Sequence, residues 1–328
     1  MGKYITKRLT LMIVSLFAIS LLSFIVIELP PGDYLTLHIQ QLRLSGMKID
    51  DALIKSLEAQ YGLGQPFLVR YTKWITGIIL RGDFGRSFAW REGVSTLIMM
   101  RLPYTVAISV LTLLFTYLVS IPIGIYSATH QYSLTDYIAT VFGFIGMATP
   151  SFLLALFLMY WLFILFDIPA GGLFSDIYRD APWSWGKIVD LLKHLIVPVI
   201  VVGMAGTAAN IRTLRATLLD ELNMDYVETA RVKGLKEGKL IMKYPVRVAL
   251  NPMWSTIGFL LPLIISGSTI VDVVLNLPTI GPLLLDSLQS QDMYLAGSLI
   301  FILTFLTLVG TFISDIILAI SDPRIRYT

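Results

Sequence analysis

Charged side chains in this chain of 328 residues are most concentrated in one polar run, Asp225 to Pro252. Asp225 and Glu228 have the spacing of a capping box that begins a short helix. Gly234 can end that helix, because glycine adopts positive φ freely. A second helix can follow, since four cations then recur at helical spacing and share one face: Lys236, Lys239, Lys243 and Arg247. The run therefore predicts two short helices that meet at Gly234, called the glycine corner below.

The second of these helices is expected to be amphipathic. Leu240, Tyr244 and Val248 form an apolar face, and Pro245 should kink the helix because it has no N–H. Taken alone, the pattern permits two interpretations. The glycine corner could bind another protein, or it could lie on anionic headgroups with Glu228 acting only as a helix cap.

Catalytic and metal-binding patterns are missing from the sequence. There is no cysteine, and the three histidines, His38, His130 and His194, have no ligand spacing. No G-x-x-x-x-G-K-[ST] phosphate loop occurs, so we expect ATP to bind a partner instead. The net charge of +3 does not indicate a nucleic-acid-binding surface. We therefore expect neither an enzyme nor a chain that binds its own cofactor, metal or nucleic acid.

Composition predicts an all-α integral membrane protein. Hydrophobic residues make up 55% of the chain and charged residues 14%, with a mean hydropathy of +0.75. A spanning helix needs about 20 mostly apolar residues. Six spans are predicted: Leu9–Leu29, Thr105–Tyr126, Ala139–Phe166, Leu195–Asn210, Trp254–Val271 and Leu295–Ile320. The fourth is the weakest, and the first is too long for a cleaved signal peptide.

The distribution of lysine and arginine predicts the orientation. Cytoplasmic flanks retain positive charge, so Lys3, Lys7 and Arg8 place both termini in the cytoplasm across six spans. The run Arg212–Arg247 is then cytoplasmic with eight basic residues, whereas 272–294 on the opposite side has none. Lipid burial of that run is excluded, because its 13 charged residues at about 2.5 kcal/mol each would cost roughly 30 kcal/mol.

Three regions follow from these spans. Residues 1–29 form a cytoplasmic tail and the first span, residues 30–101 an extracytoplasmic insertion, and residues 102–328 a core that contains the cytoplasmic loop 212–252. In the insertion, Asp50–Tyr61 has a helical apolar pattern, and Gly82–Gly85 should be a turn in which Asp83 bonds local backbone.

Polar residues and prolines inside the spans carry weaker signals. Asp315 is expected to pair with a neighbouring span, and Asp272 is not assigned to substrate. Hinges are one interpretation of four prolines: Pro122, Pro150, Pro198 and Pro262. Five polar side chains could line a translocation path, although helix packing explains them equally well: Asn210, Ser255, Thr256, Ser266 and Ser268.

The polar run also resembles a known motif. Glu228-Thr229-Ala230 followed by Gly234 is similar to the EAA motif of permease subunits of ATP-binding-cassette (ABC) importers. Asp225-Tyr226 and Ala230–Leu235 resemble the branch that imports dipeptides, oligopeptides and nickel. Other segments resemble that family in the same order along the chain: Lys3-Tyr4-Ile5, Pro31-Gly32-Asp33, Tyr61–Pro66, Gly82–Ser87 and Asp315–Arg326.

The resemblance implies one part of a multisubunit pump. It implies a type I importer permease with six transmembrane helices, a second homologous permease subunit, two ABC ATPases that bind ATP and Mg, and an extracytoplasmic substrate-binding protein. The insertion would receive that binding protein, or would only cap the spans. The cytoplasmic loop would insert into a groove on the ATPase, with Ala230 small enough for close approach. Eight residues are the candidate coupling set: Asp225, Tyr226, Glu228, Thr229, Ala230, Lys233, Gly234 and Leu235.

The sequence leaves alternatives for both the substrate and the mechanism. Oligopeptides or dipeptides are the expected cargo, with oligosaccharides or nickel as the runner-up. An ion-driven secondary carrier would need intramembrane acids, of which only Asp315 comes close. A scaffold that recruits a soluble partner is the third possibility. Co-purification of ATPases would separate the importer from both alternatives.

Overall fold

The computed structural model describes residues 2–28, 65–87, 89–167 and 171–321. Within these ranges the secondary structure is helical, apart from one isolated antiparallel bridge between Arg86 and Gly93. The helices are α1 Gly2–Glu28, α2 Phe67–Arg81, α3 Val94–Thr129, α4 Leu134–Ala148, α5 Ser151–Phe166, α6 Asp176–Arg179, α7 Trp185–Leu222, α8 Asp225–Val232, α9 Glu237–Lys243, α10 Pro245–Ala249, α11 Asn251–Val274, α12 Ile280–Gln289 and α13 Met293–Ser321.

The predicted all-helical membrane class is confirmed. Within the described ranges, four helices are long and apolar enough to cross a membrane: Tyr4–Val26, Val94–Thr129, Trp185–Leu222 and Met293–Ile320. The bent pair α4 and α5 makes a fifth if it counts as one span. Helix α11, which has 24 residues, contains the whole of the remaining predicted span, Trp254–Val271. The weak fourth prediction lies inside α7, which continues for 38 residues.

The third predicted span, Ala139–Phe166, is a pair of helices broken at Pro150. Helices α4 and α5 meet at an angle of 113°. Between them, Thr149 is extended at ψ 127° because the following Pro150 disfavours helical backbone at the residue before it. The other three prolines lie within continuous helices, Pro122 in α3, Pro198 in α7 and Pro262 in α11. Of these four prolines, only Pro150 lies at a break between two helices.

The chain divides into two compact units, which are described separately. The first comprises Met1–Thr10, Tyr104–Gly281 and Leu306–Thr328. One of its apolar clusters surrounds Leu195, Val271 and Leu275, and another joins Leu214 and Leu218 to Met253. Asp315 pairs with Arg8 at 3.3 Å in this unit, as expected for an acid that meets a neighbouring span.

The second unit comprises Leu11–Pro103 and Pro282–Phe305. Its core is aromatic, with Phe24 lying 5.4 Å, 5.6 Å and 5.5 Å from the ring centroids of Phe67, Tyr71 and Trp74. Asp83 accepts a hydrogen bond of 2.9 Å from the Gly85 N–H, which confirms the predicted turn.

Several sequence predictions fall outside the described residues. They are the Asp50–Tyr61 helix, the segments at Pro31-Gly32-Asp33 and Tyr61–Gly64, and the chain end from Asp322.

Candidate functional site

The glycine corner consists of α8 and α9 with the turn between them. Helix α8 ends at Val232, and Gly234 has a φ of +77° with its N–H donating to the Arg231 carbonyl at 3.0 Å. The predicted helix stop at Gly234 is therefore confirmed. A Cβ at this position would meet nothing within 4 Å, so a larger residue would be opposed by backbone strain rather than by a steric clash.

A small apolar core holds the two helices together. Val227 and Leu240 are fully buried, and Ala230 is 8% exposed between them. The small side chain of Ala230 lets α8 approach α9 within this chain. Its close approach to a partner stays a prediction.

An ion pair spans the turn outside that core. The Arg231 guanidinium donates to both carboxylate oxygens of Glu237, from Nη2 at 2.7 Å and from Nε at 3.2 Å. These hydrogen bonds hold the pKa of Glu237 below its ordinary value and raise the pKa of Arg231. The sequence analysis missed this pair because its spacing across Gly234 is not a helical one. Opposite charges on either side of a glycine turn were the available signal.

The start of α8 differs from the predicted capping box. Met224 occupies the N-cap position without a side-chain cap, and Asp225 is already the first helical residue. This register turns Val227 and Ala230 toward the core. The negative charge of Asp225 still interacts favourably with the positive end of the helix dipole. Tyr226 donates a hydrogen bond to Glu221 at the end of α7. The pKa of Tyr226 lies above its ordinary value. The largest cause is burial, and the hydrogen bond to Glu221 raises it further.

The outer surface of the glycine corner combines charged side chains with exposed apolar ones. Most of the candidate coupling set is exposed on it: Asp225, Tyr226, Glu228, Thr229, Lys233 and Gly234. Leu235 is half-buried against the corner core. Val232, which the sequence analysis did not select, is 82% exposed. The surface therefore has the mixed character of a protein-binding site.

The four cations that were predicted to share a basic face are exposed: Lys236, Lys239, Lys243 and Arg247. Leu240 is buried on the opposite side, but Val248 is 42% exposed because the helix breaks at Tyr244 ahead of Pro245. The predicted effect of Pro245 is thus a full break between two helices.

The glycine corner is anchored to the membrane helices through α10. Val246 and Ala249 pack with Leu214 of α7 and Met253 of α11. Thr217 donates from Oγ1 to the Ala249 carbonyl at 3.1 Å. The glycine corner is therefore joined to α7 and α11 by the packing of α10.

Comparison with known proteins identifies the family. The family "Binding-protein-dependent transport system inner membrane component" matches residues 120–327, and its N-terminal companion matches residues 1–109. The chain belongs to this family. Over 100% of both chains, it is 37% identical to the oligopeptide transport system permease protein AppB of Bacillus subtilis and 30% identical to OppB of Haemophilus influenzae. It is 32% identical to the peptidoglycan transport system permease protein YejB of Agrobacterium fabrum, covering 100% of this chain and 99% of that protein.

The chain is accordingly a permease subunit of an ABC importer, as the resemblance predicted. The predicted path residues whose side chains are described differ in exposure. Asn210 and Ser268 are buried, and Thr256 is half-buried with its hydroxyl donating to the Met253 carbonyl at 2.8 Å. Ser255 is exposed. Only the helix position of Ser266 is described.

Asp272 is an internal residue of the permease. It is 2% exposed and accepts hydrogen bonds from Thr279 at 2.7 Å and from Ser268 at 3.1 Å. The Thr279 contact joins α11 to the residue that precedes α12.

A second polar site of the permease was missed. Asp136 of α4 is 4% exposed and accepts from Nε and Nη2 of Arg215 on α7 at 3.1 Å and 3.0 Å. The Ser127 hydroxyl also donates to Asp136, as does the Tyr132 N–H at 3.0 Å. We call Asp136, Arg215 and Ser127 the bundle latch. It fixes α4 to the part of α7 that leads into the glycine corner.

Proposed function

We propose that this permease imports peptides by transmitting ATP-driven movement of partner ATPases through the glycine corner. The observation that carries the proposal is that the corner has its own core, an ion pair across its turn and an anchor on α7 and α11. A loop with this construction moves as one body. The exposed charges of α8 and of the turn at Gly234, together with Val232, would contact the ATPase.

The assembly would contain two permeases, two ATPases and one extracytoplasmic binding protein. ATP and Mg would bind the ATPases, and this chain would bind neither. Both termini and the loop 212–252 would lie in the cytoplasm of a prokaryotic cell, with the insertion 30–101 outside its inner membrane. The cationic face of the loop supports that orientation.

Transport would follow from alternating access. ATP binding would close the ATPases, pull the glycine corners together and favour an outward-open permease that receives substrate. Inverting a 1:99 population requires about 5.5 kcal/mol of differential binding. If the glycine corner were internally mobile, movement of the ATPase would not be transmitted to the membrane helices. Its internal contacts are therefore needed for coupling.

Peptides are the substrate class that the relatives favour, because AppB and OppB are oligopeptide transport permeases by name. Import of oligosaccharides or nickel by the same assembly is the alternative that the sequence resemblance leaves open. An ion-driven carrier has less support, because Asp315, the intramembrane acid it would use, pairs with Arg8.

The decisive experiment compares two glycines in the reconstituted importer. Gly234→Val should abolish peptide uptake, because valine is strained at positive φ. Gly238→Val is the matched control: Gly238 lies in α9 with nothing within 4 Å of an added Cβ, so uptake should be retained.

Glu228→Arg reverses one exposed charge of the same surface and should also reduce uptake while leaving membrane insertion intact. Peptide uptake and ATP hydrolysis in proteoliposomes measure both effects. Wild-type uptake with Gly234→Val or Glu228→Arg would refute the coupling role.

A further inference from the structure

Arg212 is an exposed cation of α7. Its Nη2 lies 3.8 Å from the sulfur of Met147, which is only a weak acceptor. No carboxylate within the described ranges forms a salt bridge with it, whereas Arg8 and Arg215 of the same unit pair with Asp315 and Asp136. Its positive charge is therefore available to an anion from outside the chain.

The guanidinium lies at a cleft of about 150 Å³ between α4 and α7. Gly143, Phe144 and Met147 form the wall on α4, and Ala208 and Ile211 form the wall on α7. Arg215 also lines the cleft, but Asp136 neutralises its charge. The cleft thus presents apolar walls and one uncompensated positive charge, which suits an amphipathic ligand carrying a single negative charge.

The other side of α4 provides an internal contrast. A groove of about 550 Å³ between α3 and α4 is lined by Pro122, Ile123, Ile138 and Phe142, among others, and by no lysine or arginine. Acyl chains of any lipid would fill such a groove. Only the cleft beside α7 can select a lipid by its charge.

We propose that this cleft binds the phosphate headgroup of an anionic phospholipid. Arg212 would donate charge-assisted hydrogen bonds to phosphate oxygens, while an acyl chain lies along Phe144 and Met147. The site belongs to the permease in its bilayer and does not depend on the proposed role of the glycine corner.

The test measures lipid binding to the complete importer by native mass spectrometry. Delipidated protein is titrated with dioleoyl-phosphatidylglycerol or dioleoyl-phosphatidylcholine. We expect about a tenfold preference for phosphatidylglycerol, because the choline cation of phosphatidylcholine compensates the phosphate charge that Arg212 would pair with; tenfold corresponds to about 1.4 kcal/mol. Arg212→Gln should remove the preference and Arg212→Lys should retain part of it. Lys239→Gln, an exposed cation outside the cleft, should leave the preference unchanged.

A second variant keeps the test decisive if Arg212→Gln prevents assembly. Thr140 lines the cleft and is exposed, so Thr140→Trp fills the cleft without changing its charge and should also remove the preference. Equal binding of both lipids by the wild type, or an unchanged preference in these variants, overturns the proposal. Displacement by inorganic phosphate at equal concentration would identify a soluble-anion site instead. Loss of peptide uptake in Arg212→Gln with the lipid preference intact would assign the guanidinium to substrate, and also overturns it.

Discussion

The bundle latch and the glycine corner each contain an arginine that donates two hydrogen bonds to one carboxylate. In both pairs, Nε and Nη2 contact separate carboxylate oxygens, at 3.1 Å and 3.0 Å for Arg215 and at 3.2 Å and 2.7 Å for Arg231. The surroundings differ. The Asp136 side chain is 5% exposed, whereas Arg231 and Glu237 are 47% and 51% exposed.

This difference assigns the pairs different physical roles. Removing one partner of a buried pair leaves a charge in a poorly solvated site, which is strongly destabilising. An exposed pair contributes little free energy and is screened by salt. The Arg231–Glu237 pair is therefore useful mainly for geometry, since it limits how α8 and α9 move about Gly234. We expect stability to depend on the latch and coupling to depend on the corner.

Asp136→Asn should have the largest effect on stability. The amide keeps the shape of the side chain but removes its charge, so Arg215 loses its counter-ion. We expect a loss of about 2 to 3 kcal/mol, below the value for a fully buried pair because the Arg215 side chain is 31% exposed. Reversible unfolding in mixed micelles measures it. A change as small as that of an exposed control, Asp225→Asn, would remove the distinction between the two regions.

Ser127→Ala should produce a smaller loss within the same latch. The substitution removes one donor to Asp136 while Arg215 and the Tyr132 N–H remain. One hydrogen bond to a charged acceptor contributes about 1.5 to 3 kcal/mol, and we expect the lower value because two partners persist. The double variant Ser127→Ala/Asp136→Asn should lose less than the sum of the single variants. Strict additivity in the same unfolding assay would show that the two residues are not coupled.

Sequence reasoning found features that depend on neighbouring residues. The apolar spans, the helix stop at Gly234 and the breaks at Pro150 and Pro245 follow from composition or from the backbone limits of one residue. The latch joins Asp136 to Arg215, which lie in different helices, and no local pattern specifies that contact. The capping box failed because the need to bury Val227 and Ala230 set the register of α8.

Glu237→Gln should separate coupling from stability in the glycine corner. The neutral amide weakens the contact with Arg231, but an exposed pair contributes little, so the unfolding free energy should change by less than about 0.5 kcal/mol. Peptide uptake per ATP hydrolysed should nevertheless fall, because α8 and α9 are less restrained. Lys239→Gln removes an exposed charge of the same helix and serves as the control. Unchanged coupling in Glu237→Gln would mean that the corner core alone provides the rigidity.

Lowering the pH should produce the smallest effect. The direction of that effect follows from the pKa shift of Glu237. The pKa of Glu237 lies below its ordinary value because Arg231 donates two hydrogen bonds to the carboxylate. A depressed pKa means that the pair contributes fully above the unfolded-state pKa and is lost as the pH falls through the folded-state pKa. The distance between spin labels on Thr229 and Lys239 should therefore stay narrowly distributed from neutral pH through the usual glutamate range and broaden only below it. Glu237→Gln should show a broad distribution at every pH. If the wild-type distance distribution broadened well above the ordinary glutamate pKa, Arg231 would not be holding the carboxylate ionised. The contrast with the buried latch would then depend only on the core of the glycine corner.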